Sequence, residues 1–334
     1  MIADIFSGEP QRPVIVAEIG ANHLQDLERA KSLVRLAGTS GADAVKFQCF
    51  RPDTMTVNVD NEYTRITDGP WAGQTLWQLY EKTYMPWEWH KPLAEIALDM
   101  GMEWFSTAYD IEGADYLMAH DPKPAAIKIS SFEANDYGLI AYVAKNSDLP
   151  LIVSTGLIGD DDLYDYPDHR DMMLMHCVSK YPAIPRDMHL SRIDCLNQLR
   201  VFGHIGLSCH SRDDRVSIMA TALGVEMIEV HFTDDRGRKT DDSAFSYEPH
   251  ELLELRNTTE VAWEAMGWEE GFVPSQENSR WARSIFAVKD IECGDEFAVD
   301  NIRSLRGAGG KSPTNLPYLI GQRAERSYKK GEPV

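Results

Sequence analysis

AVKFQ, residues Ala44–Gln48, sets a lysine and a glutamine two residues apart inside an apolar run. Such a run reads as a β-strand, and alternation sends Lys46 and Gln48 to one face and Val45 and Phe47 to the other, so charge points inward. Before it, Leu27, Ala30, Leu33, Val34 and Ala37 recur at helical spacing, and Gly38 and Gly41 close that helix. Val14–Glu18 precedes the helix as another strand. This strand–helix–strand form repeats through Glu103–Thr107, Ala126–Ser130, Pro150–Ser154, Met172–Cys177, His204–Ser208 and Met227–Phe232. A second helical stripe, Leu93, Ile96, Ala97 and Met100, ends at Gly101. Eight strands mostly alternating with helices predict an α/β fold, a (β/α)8 TIM barrel over residues 1–270.

Two connections depart from that rhythm. The stretch from Asn58 to Pro86 is longer than an ordinary connection, while the Asp-rich link from Ser154 to Met172 is too short for a full crossover helix. Residues 271–283 read as a linker, and residues 284–334 as a small β-rich domain of short strands with Gly turns. There IECGDEF (Ile291–Phe297) and YKKGEPV (Tyr328–Val334) share one pattern, either as an internal repeat or as two similar turns.

Composition narrows the chemistry. The 334 residues carry 33 basic and 53 acidic side chains, a net charge of −20, and 43% of them are hydrophobic. That charge argues against nucleic acid and anionic membranes as partners, because both bind through clustered cations. No apolar run approaches the roughly 20 residues a membrane span needs. The start, MIADIFSGEP, lacks a basic segment followed by an apolar one, so a cytoplasmic protein is expected. Five scattered cysteines without a CxxC indicate neither a disulfide framework nor structural zinc. An anionic substrate would need local cations to offset the global field.

The carboxyl ends of the strands form the active face of such a barrel. They carry Glu18, followed by Asn22 and His23; Lys46 and Gln48; Ser106 and Thr107; Lys128 with Ser130 and Ser131; and Ser154 with Thr155. Two lysines among hydroxyls suggest a phosphate or carboxylate cradle. The later strands bring His176 with Ser179 and Tyr181, Ser208 with His210, and Glu229 with His231, then Asp242. His210 and His231 could converge on a divalent ion with open positions, and imidazole with oxygen ligands suits manganese, iron, cobalt or zinc alike. His23 and His176 are as readily structural as functional. The WEWH run, Trp87–His90, reads as helix packing, and Cys49, Cys177 and Cys209 receive no role.

Taken together, AEIGANH (Ala17–His23), GADAVKFQ (Gly41–Gln48), STAYD (Ser106–Asp110), IKISSFE (Ile127–Glu133), STG (Ser154–Gly156), HCVSKYP (His176–Pro182), GLSCHS (Gly206–Ser211) and EVHFTDDR (Glu229–Arg236) resemble the sialic acid synthase family. The residues from Ser284 to Val334 resemble that family's antifreeze-like (SAF) domain. The resemblance implies condensation of phosphoenolpyruvate with an N-acylated hexosamine, either N-acetylmannosamine or a 6-deoxy-diacetamido hexose. The product would be a nine-carbon 2-keto sugar acid. Lys46, Thr107, Lys128, Ser131, Ser154, Ser179 and Ser208 would then face phosphoenolpyruvate, and His210 and His231 would hold a divalent metal, manganese first, with magnesium or cobalt as alternatives. Glu18, Glu229 and Gln48 would serve catalysis, and Asn22, Tyr181 and Asp242 the sugar. Arg306 would reach the sugar's acyl group from a partner's small domain, which implies a domain-swapped homodimer.

Three strings depart from the family's usual form: Ser179 replaces Asn, Cys209 replaces an Asp before His210, and STAYD replaces STPFD. The Cys matters most, since a carboxylate beside a ligating imidazole commonly orients it. Two rival readings remain on the residues alone. One is a Schiff-base aldolase using Lys46 or Lys128, and the other is a non-catalytic sugar-acid binder.

Overall fold

Eight parallel strands close on themselves in chain order: β1 Val14–Glu18, β2 Ala44–Cys49, β3 Glu103–Ala108, β4 Ile127–Ile129, β5 Leu151–Ser154, β6 Met172–Cys177, β7 His204–Cys209 and β8 Met227–His231. This TIM-like barrel belongs to a computed structural model of the chain, which describes residues 1–8, 11–167, 171–198, 203–267 and 278–334. β1 closes the ring by pairing with β8, Glu18 lying opposite His231. The strands depart from expectation by a residue or so at their ends. β5, for example, starts after Pro150, which has no N–H to give to a ladder.

Polarity inside the barrel changes along the strand axis. Near the amino ends the interior holds Val14, Val16, Ala44, Phe105, Ile152, Met173 and Met227, a wholly apolar plug. One residue pair further along, the inward positions become Glu18, Lys46, Lys128 and Glu229, all buried. Val45 and Phe47 pack outward against the helices, as alternation requires. A helix the sequence pattern did not reveal, Ile2–Ser7, packs its buried Ile2 and Ile5 in the same cluster as the apolar plug.

Both irregular connections are real. Among the described residues, the link between β5 and β6 holds only a 3-10 turn, Asp161–Asp165, strapped by Arg192, which donates to the carbonyls of Thr155 (2.8 Å) and Ile158 (2.9 Å). The long excursion after β2 contains a hairpin-like contact between Arg65 and Thr75, then a helix, Leu76–Thr83, started by a Thr75–Gln78 capping box. WEWH is packing: His90 is buried, its Nε2 3.1 Å from the Ser106 hydroxyl and its Nδ1 3.0 Å from the Trp87 carbonyl. His176 also turns outward, bonded at Nε2 to the Met188 carbonyl (2.6 Å).

The chain divides into two compact units, Met1–Glu269 and Glu270–Val334. Of the expected linker, residues 271–277 lie outside the described residues, and Arg283 already opens β9. In the second unit β9 (Arg283–Ala287) pairs antiparallel with β10 (Ile302–Arg306) over a small core of Ile285, Ile291, Phe297, Ile302 and Val334. The two similar stretches there form the same turn twice. Asp295 and Glu332 each accept from the backbone three residues back, at Glu292 and Lys329, and Gly294 and Gly331 take φ of +92° and +90°. The turns also pair with each other, Ile291 against Tyr328. Among the described residues no helix is long and apolar enough to cross a membrane.

Candidate active site

The barrel mouth encloses a cavity of about 330 Å³ whose walls include Glu18, Lys46, Gln48, Lys128, Ser131, Ser154, Tyr181, Ser208, His210, Glu229, His231 and Asp242. They come from seven different strand ends, because only the inward positions near each carboxyl end can face one space.

Four buried charges form its floor. Glu229 sits between both lysines: Lys128 Nζ lies 2.7 Å from each of its oxygens and Lys46 Nζ lies 2.9 Å from Oε1. Lys46 also reaches Glu18 Oε2 at 3.3 Å, and the Gln48 amide donates to Glu18 Oε1 at 2.7 Å. Ser208 adds a weaker bond to Glu229 at 3.3 Å. Burial works against the charges of Lys46, Lys128 and Glu229, so each of these three persists only through its partners. It pulls the Glu229 carboxyl up, yet Lys128 and Lys46 together hold it well below the usual carboxylate range. Lys46 touches two carboxylates and stays above the ordinary lysine value despite its burial. Lys128 touches only one and is repelled by Lys46, so burial prevails and its pKa falls to about 8.

Beside this floor stand two imidazoles with ring centroids 5.7 Å apart. Burial pushes His210 down to about 3, leaving it neutral, which is the ligating form. Its Nδ1 faces the Val178 carbonyl at 2.7 Å, which turns Nε2 toward the cavity. Here lies the answer to the missing carboxylate: Cys209 points away into the outer core, its thiol against the Ser211 carbonyl, and a backbone oxygen orients His210 instead. His231 Nδ1 is 3.4 Å from Asp242 Oδ2, which also accepts from the Ala21 amide at 2.8 Å. Gly20 makes this possible, since its φ is +49° and a Cβ there would stand 2.3 Å from Asp242. Two imidazoles with an adjacent carboxylate fit a divalent cation with open positions. Among the described residues, the one cluster of three close ligand atoms is elsewhere, at Glu248, His250 and Glu251, so the imidazole pair would offer a cation two protein ligands and leave its other positions open.

The hydroxyl cradle is partly direct. Ser131 and Ser154 line the cavity, and the buried Ser154 hydroxyl has no hydrogen-bond partner among the described residues. Ser179 stands behind Ser131, their oxygens 2.7 Å apart. Thr107 is equally buried and unpartnered, between Gln48 and Lys128 in the sheet, but does not line the cavity. Asn22 departs from the expected sugar-facing role. It is fully buried off the cavity, its amide donating to the Phe232 carbonyl and Ser246 hydroxyl, both at 2.9 Å, and accepting from Thr240. With every amide atom engaged, it fastens the β1 loop to the β8 loop. Arg306 ends β10 of the small unit opposite Arg283, with its side chain exposed.

Other cavity residues escaped the motif reading. Met55, Ile66, Trp71, Leu76, Leu79 and Tyr80 supply an apolar wall from the segment after β2, joined by Phe132 and Phe245. The unusual length of that connection was the available signal. Next to Phe132 but outside the lining, Glu133 accepts from the Ser130 hydroxyl, and burial raises its carboxyl to about 7. Cys177 lines the floor as well, its thiol kept neutral by burial.

Comparison with known proteins agrees with the architecture. A family model described as the NeuB family matches residues 33–271, and a SAF domain model matches residues 282–334. The chain is 35% identical to a pseudaminic acid synthase of Campylobacter jejuni over 95% of this chain and 94% of that protein. It is 29% identical to an N,N'-diacetyllegionaminic acid synthase of Legionella pneumophila over 95% of this chain and 92% of that protein. A solved N-acetylneuraminic acid synthetase of Leptospira borgpetersenii superposes with a TM-score of 0.70 at 26% identity, covering 80% of this chain and 90% of that one.

Proposed function

The chain belongs to the NeuB family, is a sugar-acid synthase of the sialic acid synthase kind and carries a SAF domain, and on that premise we propose that it condenses phosphoenolpyruvate with an N-acylated hexosamine to a nine-carbon 2-keto sugar acid, releasing phosphate. The observation that carries this reading is the joint placement of two lysines, three carboxylates and two imidazoles in one cavity at the barrel mouth. Lys46 and Lys128, with the Ser131, Ser154 and Ser208 hydroxyls, would hold the phosphate and carboxylate. A divalent cation on His210 and His231, manganese by preference, would supply Lewis-acid polarisation of the acceptor's aldehyde oxygen. C3 of phosphoenolpyruvate then bonds to the aldehyde carbon. Water adds at the electron-poor C2, its proton passing by way of Glu18 to the new alkoxide, and the C2–O bond to phosphate breaks as the C2 hydroxyl gives its proton to the departing phosphate, leaving the ketone. Gln48 keeps Glu18 aimed, and Glu229 keeps both ammoniums in line. Co-localising two reactants supplies much of the acceleration.

The apolar wall favours the 6-deoxy-diacetamido acceptor over N-acetylmannosamine, because a hydroxyl buried against Ile66 or Leu79 would lose its hydrogen bonds to water unreplaced. Two features support a partner's SAF domain as the cover that brings Arg306. Phe132, Leu157 and Tyr164, on loops after β4 and β5, are more than half exposed. Residues 282–334 hold nine Lys and Arg against seven Asp and Glu, while the remainder holds 24 against 46, so the domains are opposite in sign.

The depressed Lys128 favours one rival, a Schiff-base aldolase. Borohydride trapping of substrate on a lysine would establish it. Phosphate release from phosphoenolpyruvate only when an N-acylhexosamine is present, with product mass read across a panel of such sugars, supports the condensation. No release with any of them overturns it.

A further inference from the structure

Trp71 sits at the tip of the hairpin in the long excursion, far in sequence from either imidazole, yet it stands behind both. Its ring lies 5.5 Å from Tyr181 and 6.4 Å, perpendicular, from Phe245. Tyr181 in turn stacks on His210 at 4.2 Å and 37°, and Phe245 meets His231 edge-on at 4.8 Å and 82°. Tyr181 and Phe245 also touch each other at 5.0 Å. The result is one aromatic layer, with Trp71 at its back and the two imidazoles at its front. The indole is anchored too: its N–H donates to the Asp241 carbonyl at 3.1 Å, one residue from the Asp242 that faces His231, and Lys82 of the same excursion pairs with the Asp241 carboxylate at 2.6 Å. A hydrogen bond to the Val178 carbonyl fixes one point on His210, while the His231 ring has only the Asp242 carboxylate near its Nδ1, at 3.4 Å. The flat neighbours are what restrict rotation about that point, because aromatic pairs have preferred tilts.

We infer that Trp71 is a positioning residue which, through Tyr181 and Phe245, sets the ring planes of His210 and His231. The inference rests on the proposed function, in which that pair holds the cation. It also ties the acceptor wall to the imidazoles, since Trp71 lines both the layer and the cavity.

The test is manganese titration alone, followed by the free-ion electron paramagnetic resonance signal, on the full chain carrying Trp71→Ala or Trp71→Phe. Trp71→Ala is expected to weaken manganese binding by about 10-fold, the lower end for groups that orient metal ligands. Trp71→Phe, which keeps a flat face but loses the N–H, should restore most of it, with both variants melting close to the parent. Unchanged binding in Trp71→Ala overturns the inference, and equal loss in Trp71→Phe does so as well, by assigning the effect to the N–H. If Trp71→Ala does not fold, Trp71→Leu fills the space without a flat face. If the parent protein takes up no manganese, the functional reading fails separately. A crystal structure of the Trp71 variant then decides: rotated imidazole planes support the inference, and unmoved planes overturn it.

Discussion

Lys128 Nζ is equidistant, at 2.7 Å, from the two oxygens of Glu229, across the barrel from strand β4 to strand β8. Both side chains are nearly inaccessible to water, so the pair stores a large desolvation cost against a large attraction. Removing one partner should therefore hurt more than removing both. Glu229→Gln is expected to destabilise the barrel by about 3–5 kcal/mol, the range for an orphaned buried charge. The double variant Lys128→Met with Glu229→Gln should recover part of that stability and none of the turnover. Urea unfolding of the parent, Glu229→Gln, Lys128→Met and the double variant checks it, and additive losses would show that the two groups are not coupled.

His210→Ala and His231→Ala should each abolish turnover while circular dichroism stays that of the parent. Chelation should silence the parent enzyme, and manganese should restore it. Retained rates in both variants would remove the imidazoles from the chemistry.

Arg306→Ala should raise the KM for the acceptor more than that for phosphoenolpyruvate. The opposite net charges of the two domains add a salt dependence: a dimer held partly by that attraction should loosen as added salt shortens the Debye length below about 8 Å. Steady-state kinetics and sedimentation read the two effects. A shift shared equally by both substrates counts against an acceptor-facing Arg306.

Asn22→Ala should cost stability, by about 1–3 kcal/mol for the partners left unpaired at Phe232, Ser246 and Thr240. The acceptor's KM should move no more than that of phosphoenolpyruvate. A selective rise in acceptor KM would restore a sugar-binding role.

Burial lowers His90 to about 3, so the folded chain keeps it neutral where the unfolded chain, near 6.5, takes a proton. Its contribution is complete above pH 6.5 and is lost as pH falls from there toward 3, at up to about 1.4 kcal/mol per pH unit. Urea midpoints between pH 7 and 5 should fall, and a foldable His90→Gln variant should show a shallower slope. Equal slopes would assign the acid sensitivity to other groups.

Strand existence, strand order and the charged inner face were legible because each depends on short-range alternation, which a one-dimensional pattern carries intact. AVKFQ announced an inward lysine from five residues alone. The role of Asn22 was not legible, since its partners lie more than 200 positions away at Phe232, Thr240 and Ser246. Nor was the replacement of the missing carboxylate at Cys209 by the Val178 carbonyl, because any backbone oxygen looks alike in a sequence. The apolar wall and Trp71 were hidden for the same reason: an excursion without strand periodicity gives no direction to its side chains.

By itself, then, the amino-acid order determined the barrel and which residue types gather at its carboxyl end, through periodicity and local propensity. Only the closed tertiary structure decided which lysine meets which glutamate, which ring backs which imidazole, and whether a polar residue faces the cavity or seals a loop. Those choices depend on distances set when β1 pairs with β8, and closure of the ring is a property of all eight strands together.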